Sequence, residues 1–167
     1  QPSIDGFAFT CSTLSGLASI HCVAASSGDM PSLAIASATE FWSSLVQVKF
    51  FTRAAAGELQ LATSTLVAFG STRRPLGKVD ADETLANLLA AQTQICCIVA
   101  KSWDYHVIEA LRTTLDEGAA MIADSVRFLR AAGQRVFFDA EHFFDGYRAD
   151  PEFALRVLEA AAVEGAE

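Results

Sequence analysis

The stretch Arg135–Phe153, RVFFDAEHFFDGYRADPEF, decides the fold. It opens on a continuous apolar run, Val136, Phe137 and Phe138, which reads as a buried strand. The run breaks into Asp139, Glu141, His142 and Asp145, interleaved with aromatic residues. Asp150-Pro151 then opens a helix, with proline at an early position where its missing N–H is not needed. Phe153, Leu155, Val157 and Leu158 mark that helix's expected buried side.

The same alternation extends upstream. STLVAFG (Ser64–Gly70) is a short strand ending at glycine. Asp80 or Asp82 can cap a helix with an apolar face of Leu85, Leu88 and Leu89. QICCIVA (Gln94–Ala100) is a second continuous apolar strand. Leu111, Leu115, Ala119, Ile122, Val126 and Leu129 recur at spacings of three and four, which predicts a long helix over roughly His106–Ala132. Gly133 is a C-terminal stop for it. The order β-α-β-α-β-α predicts a parallel sheet covered by helices. A doubly wound sheet and a (β/α)8 barrel both satisfy it, and three strands are few for either.

The chain of 167 residues is 51% hydrophobic, with a mean hydropathy of +0.30, so one domain with a real core is expected. A net charge of −8 and a pI near 4.8 argue against a nucleic-acid partner, which calls for clustered Lys and Arg. Cys11, Cys22, Cys96 and Cys97 lack zinc-site spacing, and a reduced, cytoplasmic chain is the expectation. Gly6–Gly28 holds no Lys, Arg, Asp or Glu, but Ser, Thr and His interrupt it and no basic segment precedes it. Neither a membrane span nor a signal peptide is expected.

Composition changes near residue 49. Residues 1–49 carry four charged side chains, Asp5, Asp29, Glu40 and Lys49, and show no sustained period. They are left unassigned, with a weak helix around Ser32–Val48 and equally weak strands at FAFTC (Phe7–Cys11) and IHCVA (Ile20–Ala24). Residues 50–167 hold the patterned part.

In both candidate architectures ligands meet the C-terminal ends of the strands. The three strand exits are STRR (Ser71–Arg74), KSWDYH (Lys101–His106) and DAEH (Asp139–His142). All are polar, while the strand entrances are plain. Asp139 and Glu141 lie two apart and share a strand face, so they can position a substrate or handle protons; the alternative is capping or ion pairing with Arg73 or Arg74. Arg73 and Arg74 suit a carboxylate, one of them being a structural ion pair. Lys101, Asp104 and His106 line the mouth, with Trp103 and Tyr105 as packing. His142 points away if the strand continues. No HxH or HxxxE spacing argues for a metal, and GxGxxG, GxxxxGK[ST] and GxSxG are absent.

Three motifs go further: VAFGSTRRP (Val67–Pro75), KSWDYHVIEALRTTLDEGAAMIADSV (Lys101–Val126) and FDAEHFFDGYRADPEFAL (Phe138–Leu155). Residues from about 50 to 167 closely resemble the citramalate-type branch of the 2-isopropylmalate and homocitrate synthase family. The resemblance implies an incomplete (β/α)8 barrel, with its third, fourth and fifth strands and their helices. It implies an acyltransferase that condenses acetyl-CoA with pyruvate to citramalate, on the way to isoleucine, using Mg, Mn or Zn. A 2-isopropylmalate-type specificity and a non-catalytic truncated module are the alternatives. Glu141 matches the family's strand-end glutamate, with a role in substrate positioning or proton handling. Arg73, Arg74, Lys101, Asp104, His106, Asp139 and His142 fall within family motifs as substrate-binding candidates.

The departures from the family pattern matter as much. The DTTLRDG-type first strand, the second-strand EGG and the later HxH ligands are absent, so no metal ligand is recognisable. Residues 1–49 stand in the place of the first two strands and are expected to be an out-of-frame or replaced segment. The chain is expected to be a fragment, inactive alone, whose open sheet edges favour association between copies.

Overall fold

The computed structural model describes residues 20–23, 32–36 and 43–167 apart from 60, 62 and 63, with side chains described from residue 49 onward. The FAFTC stretch and the uncharged run's remaining residues lie outside the described set. The chain divides into two compact units, Gln1–Val67 and Ala68–Glu167.

In the first unit, β1 (Ile20–Val23) and β2 (Ser32–Ala36) form an antiparallel pair in which Ile20 faces Ala36 and Val23 faces Leu33. Helix α1 spans Ser43–Ala55. The weak helix expected over Ser32–Val48 is therefore wrong in its first part: β-branched and small residues there extend as a strand, and the helix starts only at Ser43. It runs through residue 49 and closes at Gly57, whose φ of +82° suits a left-handed stop.

The second unit is built on the second half of β3 (Ser64–Ser71, of which 68–71 belong to this unit), β4 (Ile95–Lys101) and β5 (Arg135–Glu141), in that order. The three strands are parallel. β4 and β5 pair in register from Ile95 opposite Arg135 to Lys101 opposite Glu141. Cys96, Ile98 and Ala100 of β4 are buried, as is Val136 of β5. Phe137 and Phe138, expected to be buried, are only partly so: Phe137 lies on the less covered face with Asp139 and Glu141, while Phe138 shares the face of Val136.

Helices α2 (Glu83–Ala90), α3 (Leu115–Ala131) and α5 (Pro151–Val163) supply the layer. Asp82 caps α2, accepting from the backbone N–H groups of Thr84 and Leu85, and Leu85 and Leu88 are buried beneath it. Asp150 caps α5 through the N–H of Phe153, with Pro151 in its first turn. α3 buries Met121, Ile122, Ser125, Val126 and Leu129, and Gly133 ends it at φ +87°. Each fully buried aliphatic contributes about 1.5–3 kcal/mol.

Two further expectations need correction. The helix expected from His106 is broken. A π-helical turn spans His106–Ala110, Arg112 takes a left-handed φ of +53°, and α3 starts after Thr114, whose hydroxyl accepts from the N–H of Glu117. The apolar period runs unbroken across that gap and conceals it. Leu155 is 50% exposed; Phe153, Ala154, Val157 and Ala161 form the buried face of α5 instead. Finally, a short helix, α4 (Phe143–Ala149), fills the segment between β5 and α5. Among the described residues no helix is long and apolar enough to cross a membrane.

Candidate functional site

At the exit of β3 the two arginines part ways. Arg73 is 5% exposed. Its Nε and Nη2 donate to Asp124 Oδ2 at 3.1 and 2.8 Å, and its Nη1 donates to Glu117 Oε1 at 2.6 Å. Its backbone N–H donates to Ser125 Oγ at 2.9 Å. Burial works against the Arg73 charge, and the bonds to Glu117 and Asp124 outweigh it and raise its pKa. The same bond from Arg73 holds the Glu117 carboxyl below the ordinary value. Glu117 also accepts from the N–H of Leu76 at 2.7 Å, so it ties the loop after β3 to helix α3. Arg74 is exposed, with its N–H held by Asp82 Oδ2 at 2.9 Å. Glu117 and Asp124 were not among the predicted site residues. The Thr114-x-x-Glu117 capping pattern was the signal for a helix start there.

The exits of β4 and β5 converge. Lys101 Nζ pairs with Glu141 Oε2 across adjacent strand ends, both side chains about one-third exposed. The N–H of Ser102 donates to the carbonyl of Glu141 at 3.1 Å, extending the ladder by one bond. Asp139 lies two residues earlier on the same face and is exposed. The strand does not continue into His142, which turns left-handed at φ +58° and begins α4. Its ring meets His106 edge-on, with centroids 4.8 Å apart and planes at 88°. Trp103 lies 4.8 Å from His106 and 6.3 Å from His142. Burial lowers the His106 pKa first, followed by the charges of His142 and Lys101, against Glu141 and Asp145.

Helix α4 closes over this corner because of one glycine. A Cβ on Gly146 would stand 2.2 Å from the Ser102 carbonyl oxygen and 2.8 Å from the Trp103 Cα. Ser102 Oγ, Asp104 Oδ1 and His106 Nδ1 are buried with no hydrogen-bond partner among the described residues. Buried polar atoms are normally satisfied, so three within Ser102–His106 mark a place where an outside group can bind.

Lys101, His106, Glu141 and His142 are thus brought together, with the part-buried Asp104 on the same loop. Arg73 is held apart in its own ion-pair cluster. The surface cavity of about 400 Å³ lined by Leu115, Asp116, Asp150, Glu152, Phe153 and Arg156 holds none of the predicted residues. Cys96 and Cys97 are free and buried. Burial pushes their thiols up to about 11 and about 12, so neither is a nucleophile at neutral pH. Among the described residues no group of three or more His, Cys, Asp or Glu is placed to hold a metal ion. The described residues therefore do not fit the divalent metal that the family resemblance implies, and no chemical step is derived through one.

The fold and the site define the class: an α/β protein with a polar cluster at the C-terminal ends of parallel strands. No family model matches the chain. The chain is 51% identical over 119 residues to (R)-citramalate synthase of Streptomyces coelicolor, covering 71% of this chain and 22% of that protein. It is 49% identical over 112 residues to (R)-citramalate synthase of Aquifex aeolicus, covering 67% and 21%. A 2-isopropylmalate synthase of Methylibium petroleiphilum is 38% identical over 77 residues, covering 46% and 14%. The chain is thus shown to resemble the citramalate synthases, and the 2-isopropylmalate synthases more weakly. It spans about a fifth of the length of the citramalate synthases it matches. Its fold is similar to that of a hydroxymethylglutaryl-CoA lyase from Pseudomonas aeruginosa, with a TM-score of 0.50 at 14% identity, covering 71% of this chain and 36% of that one.

Proposed function

We propose that this chain is a segment of a citramalate-synthase-type acyltransferase, carrying the third to fifth strands of a (β/α)8 barrel. The reaction is the condensation of acetyl-CoA with pyruvate, followed by hydrolysis of the product thioester by water, to give citramalate and free CoA, a step toward isoleucine in the cytoplasm. The carrying observation is the pairing of Glu141 with Lys101 at adjacent strand ends, both inside motifs that resemble the citramalate-type branch.

On this reading Glu141 is the catalytic carboxylate, positioning the keto acid or moving a proton at the acetyl methyl group. Lys101 holds the Glu141 carboxylate in place through their ion pair, and His106 supplies a hydrogen bond from the mouth. Arg74, exposed at the next exit, suits the keto acid's carboxylate. Asp104, Asp139 and His142 shape the pocket. Arg73 acts through the loop it braces. A divalent metal would polarise the keto carbonyl in a longer protein; the residues described here do not hold it.

A second reading, that this chain alone is a non-catalytic module, is favoured by the lack of a three-donor group among the described residues. A chimaera separates the two. Residues 64–167 replace the matching segment of the Streptomyces coelicolor enzyme, and thiol release from acetyl-CoA is followed with pyruvate, with 2-ketoisovalerate and with added Mg²⁺ or Mn²⁺. Pyruvate-dependent release that Glu141→Gln abolishes supports the proposal. A folded chimaera that is silent, or that prefers 2-ketoisovalerate, overturns it. Turnover by the purified chain alone would refute the second reading.

A further inference from the structure

We propose that His142, anchored by Asp145, is a positioning residue for His106, fixing the orientation of that ring at the mouth of β4 and β5. Asp145 is outside the set of residues that the sequence singles out for the site. It stands one turn along α4, its Oδ2 3.4 Å from His142 Nδ1, so the Nδ1–H tautomer of His142 donates to it. His142 itself occupies a left-handed position at the start of α4 and makes no side-chain cap there. Asn or Gly suits such a position better, and Asn, Asp or Ser suits an N-cap. The histidine ring is turned instead against His106, edge-on at 4.8 Å.

His106 is held from two sides, by His142 and by Trp103, each at 4.8 Å between ring centroids. Its Nδ1 is buried and has no partner among the described residues, as is also true of Ser102 Oγ and Asp104 Oδ1 beside it. A ring that is oriented by aromatic neighbours and left with one open nitrogen is prepared for a bond from outside. The charged groups that face it are Lys101 from β4, Glu141 from β5, and His142 and Asp145 from the start of α4. The lowered pKa of His106 agrees with a ring kept neutral beside Lys101 and His142.

The inference rests on reading this mouth as the ligand site, but its test needs no turnover, so the two fail separately. The chain has three histidines, and their Hε1 signals can be assigned by substitution and followed by NMR between about pH 5 and 8. His142→Asn keeps a residue that tolerates the left-handed turn. It is expected to remove the ring-current displacement of the His106 signal and to raise the His106 midpoint, since a like charge is lost. Asp145→Asn, at a more exposed position, is expected to loosen the His142 ring and to shift the His106 signal with it. If the His106 shift and midpoint are unchanged in a folded Asp145→Asn chain, the proposal is overturned. The same holds for a folded His142→Asn chain whose His106 signal keeps its wild-type position.

Discussion

Lys101 and Glu141 stand opposite each other as the last registered pair of two parallel strands, and their side chains close that ladder with an ion pair. Both are about one-third exposed, so the pair is screened and contributes about 0–1 kcal/mol to stability. Glu141→Gln is therefore expected to leave the urea midpoint of the chain almost unmoved while abolishing activity in the chimaera. Equal losses of stability and activity would make the pair structural.

Arg73 and Arg74 are adjacent in sequence and opposite in role. Arg73 is buried between Glu117 and Asp124, whereas Arg74 is exposed. Arg73→Met removes both ion pairs and leaves Glu117 part-buried without its cation. A loss of about 2–4 kcal/mol is expected, somewhat below a fully buried pair because Asp124 is partly exposed. Arg74→Ala is expected to cost less than about 0.5 kcal/mol. Paired urea denaturation curves check the contrast, and similar midpoints for the two variants would contradict it.

Much of the second unit was legible because its signals are local. Asp82, Asp150-Pro151 and Gly133 act within a few residues of themselves, and each ends or starts a helix as the sequence suggests. The break at Arg112–Thr114 was hidden because Leu111 and Leu115 keep the helical period across it. Helix α4 carries no helical period among its aromatics and its glycine, so the sequence made no assignment there; its place is set by Gly146 pressed against Ser102. At the site, the strand-exit rule located the polar face, but pairing is set by distant partners. Arg73 meets acids 44 and 51 residues away, and Lys101 meets Glu141 40 residues away, which register alone decides.

Gly146→Ala tests the closeness of α4 to the loop after β4. In an open helix the change would gain about 1 kcal/mol through propensity. Here the new methyl would overlap the Ser102 carbonyl and Trp103 Cα, both backbone atoms that cannot rotate away. The clash wins, at about 1–3 kcal/mol of net destabilisation. The near-UV circular dichroism of Trp103 is expected to change as α4 lifts. A stabilised Gly146→Ala chain with an unchanged Trp103 signal would show that α4 does not sit this close in solution.

Acid stability follows from His106 and Glu117, whose values are both lowered in the fold. His106 is held below its ordinary value of 6.5, chiefly by burial, so the unfolded chain binds a proton there more readily. Stability is then fully present above 6.5 and falls as the pH drops through the lowered value. Glu117 is held below its ordinary value of 4.5, chiefly by the Arg73 hydrogen bond, so its contribution is present above 4.5 and is lost below that. Acidification is therefore expected to lower the urea midpoint in two successive windows, the first from His106 and the second from Glu117. His106→Gln flattens the first window and keeps the second. Glu117→Gln flattens the second, at the cost of lower stability near neutrality because Arg73 loses a partner. A midpoint that rises as the pH falls from about 7 to 5 would show that the His106 ring is stabilised in its charged form, and that its neighbours Glu141 and Asp145 outweigh Lys101, His142 and burial.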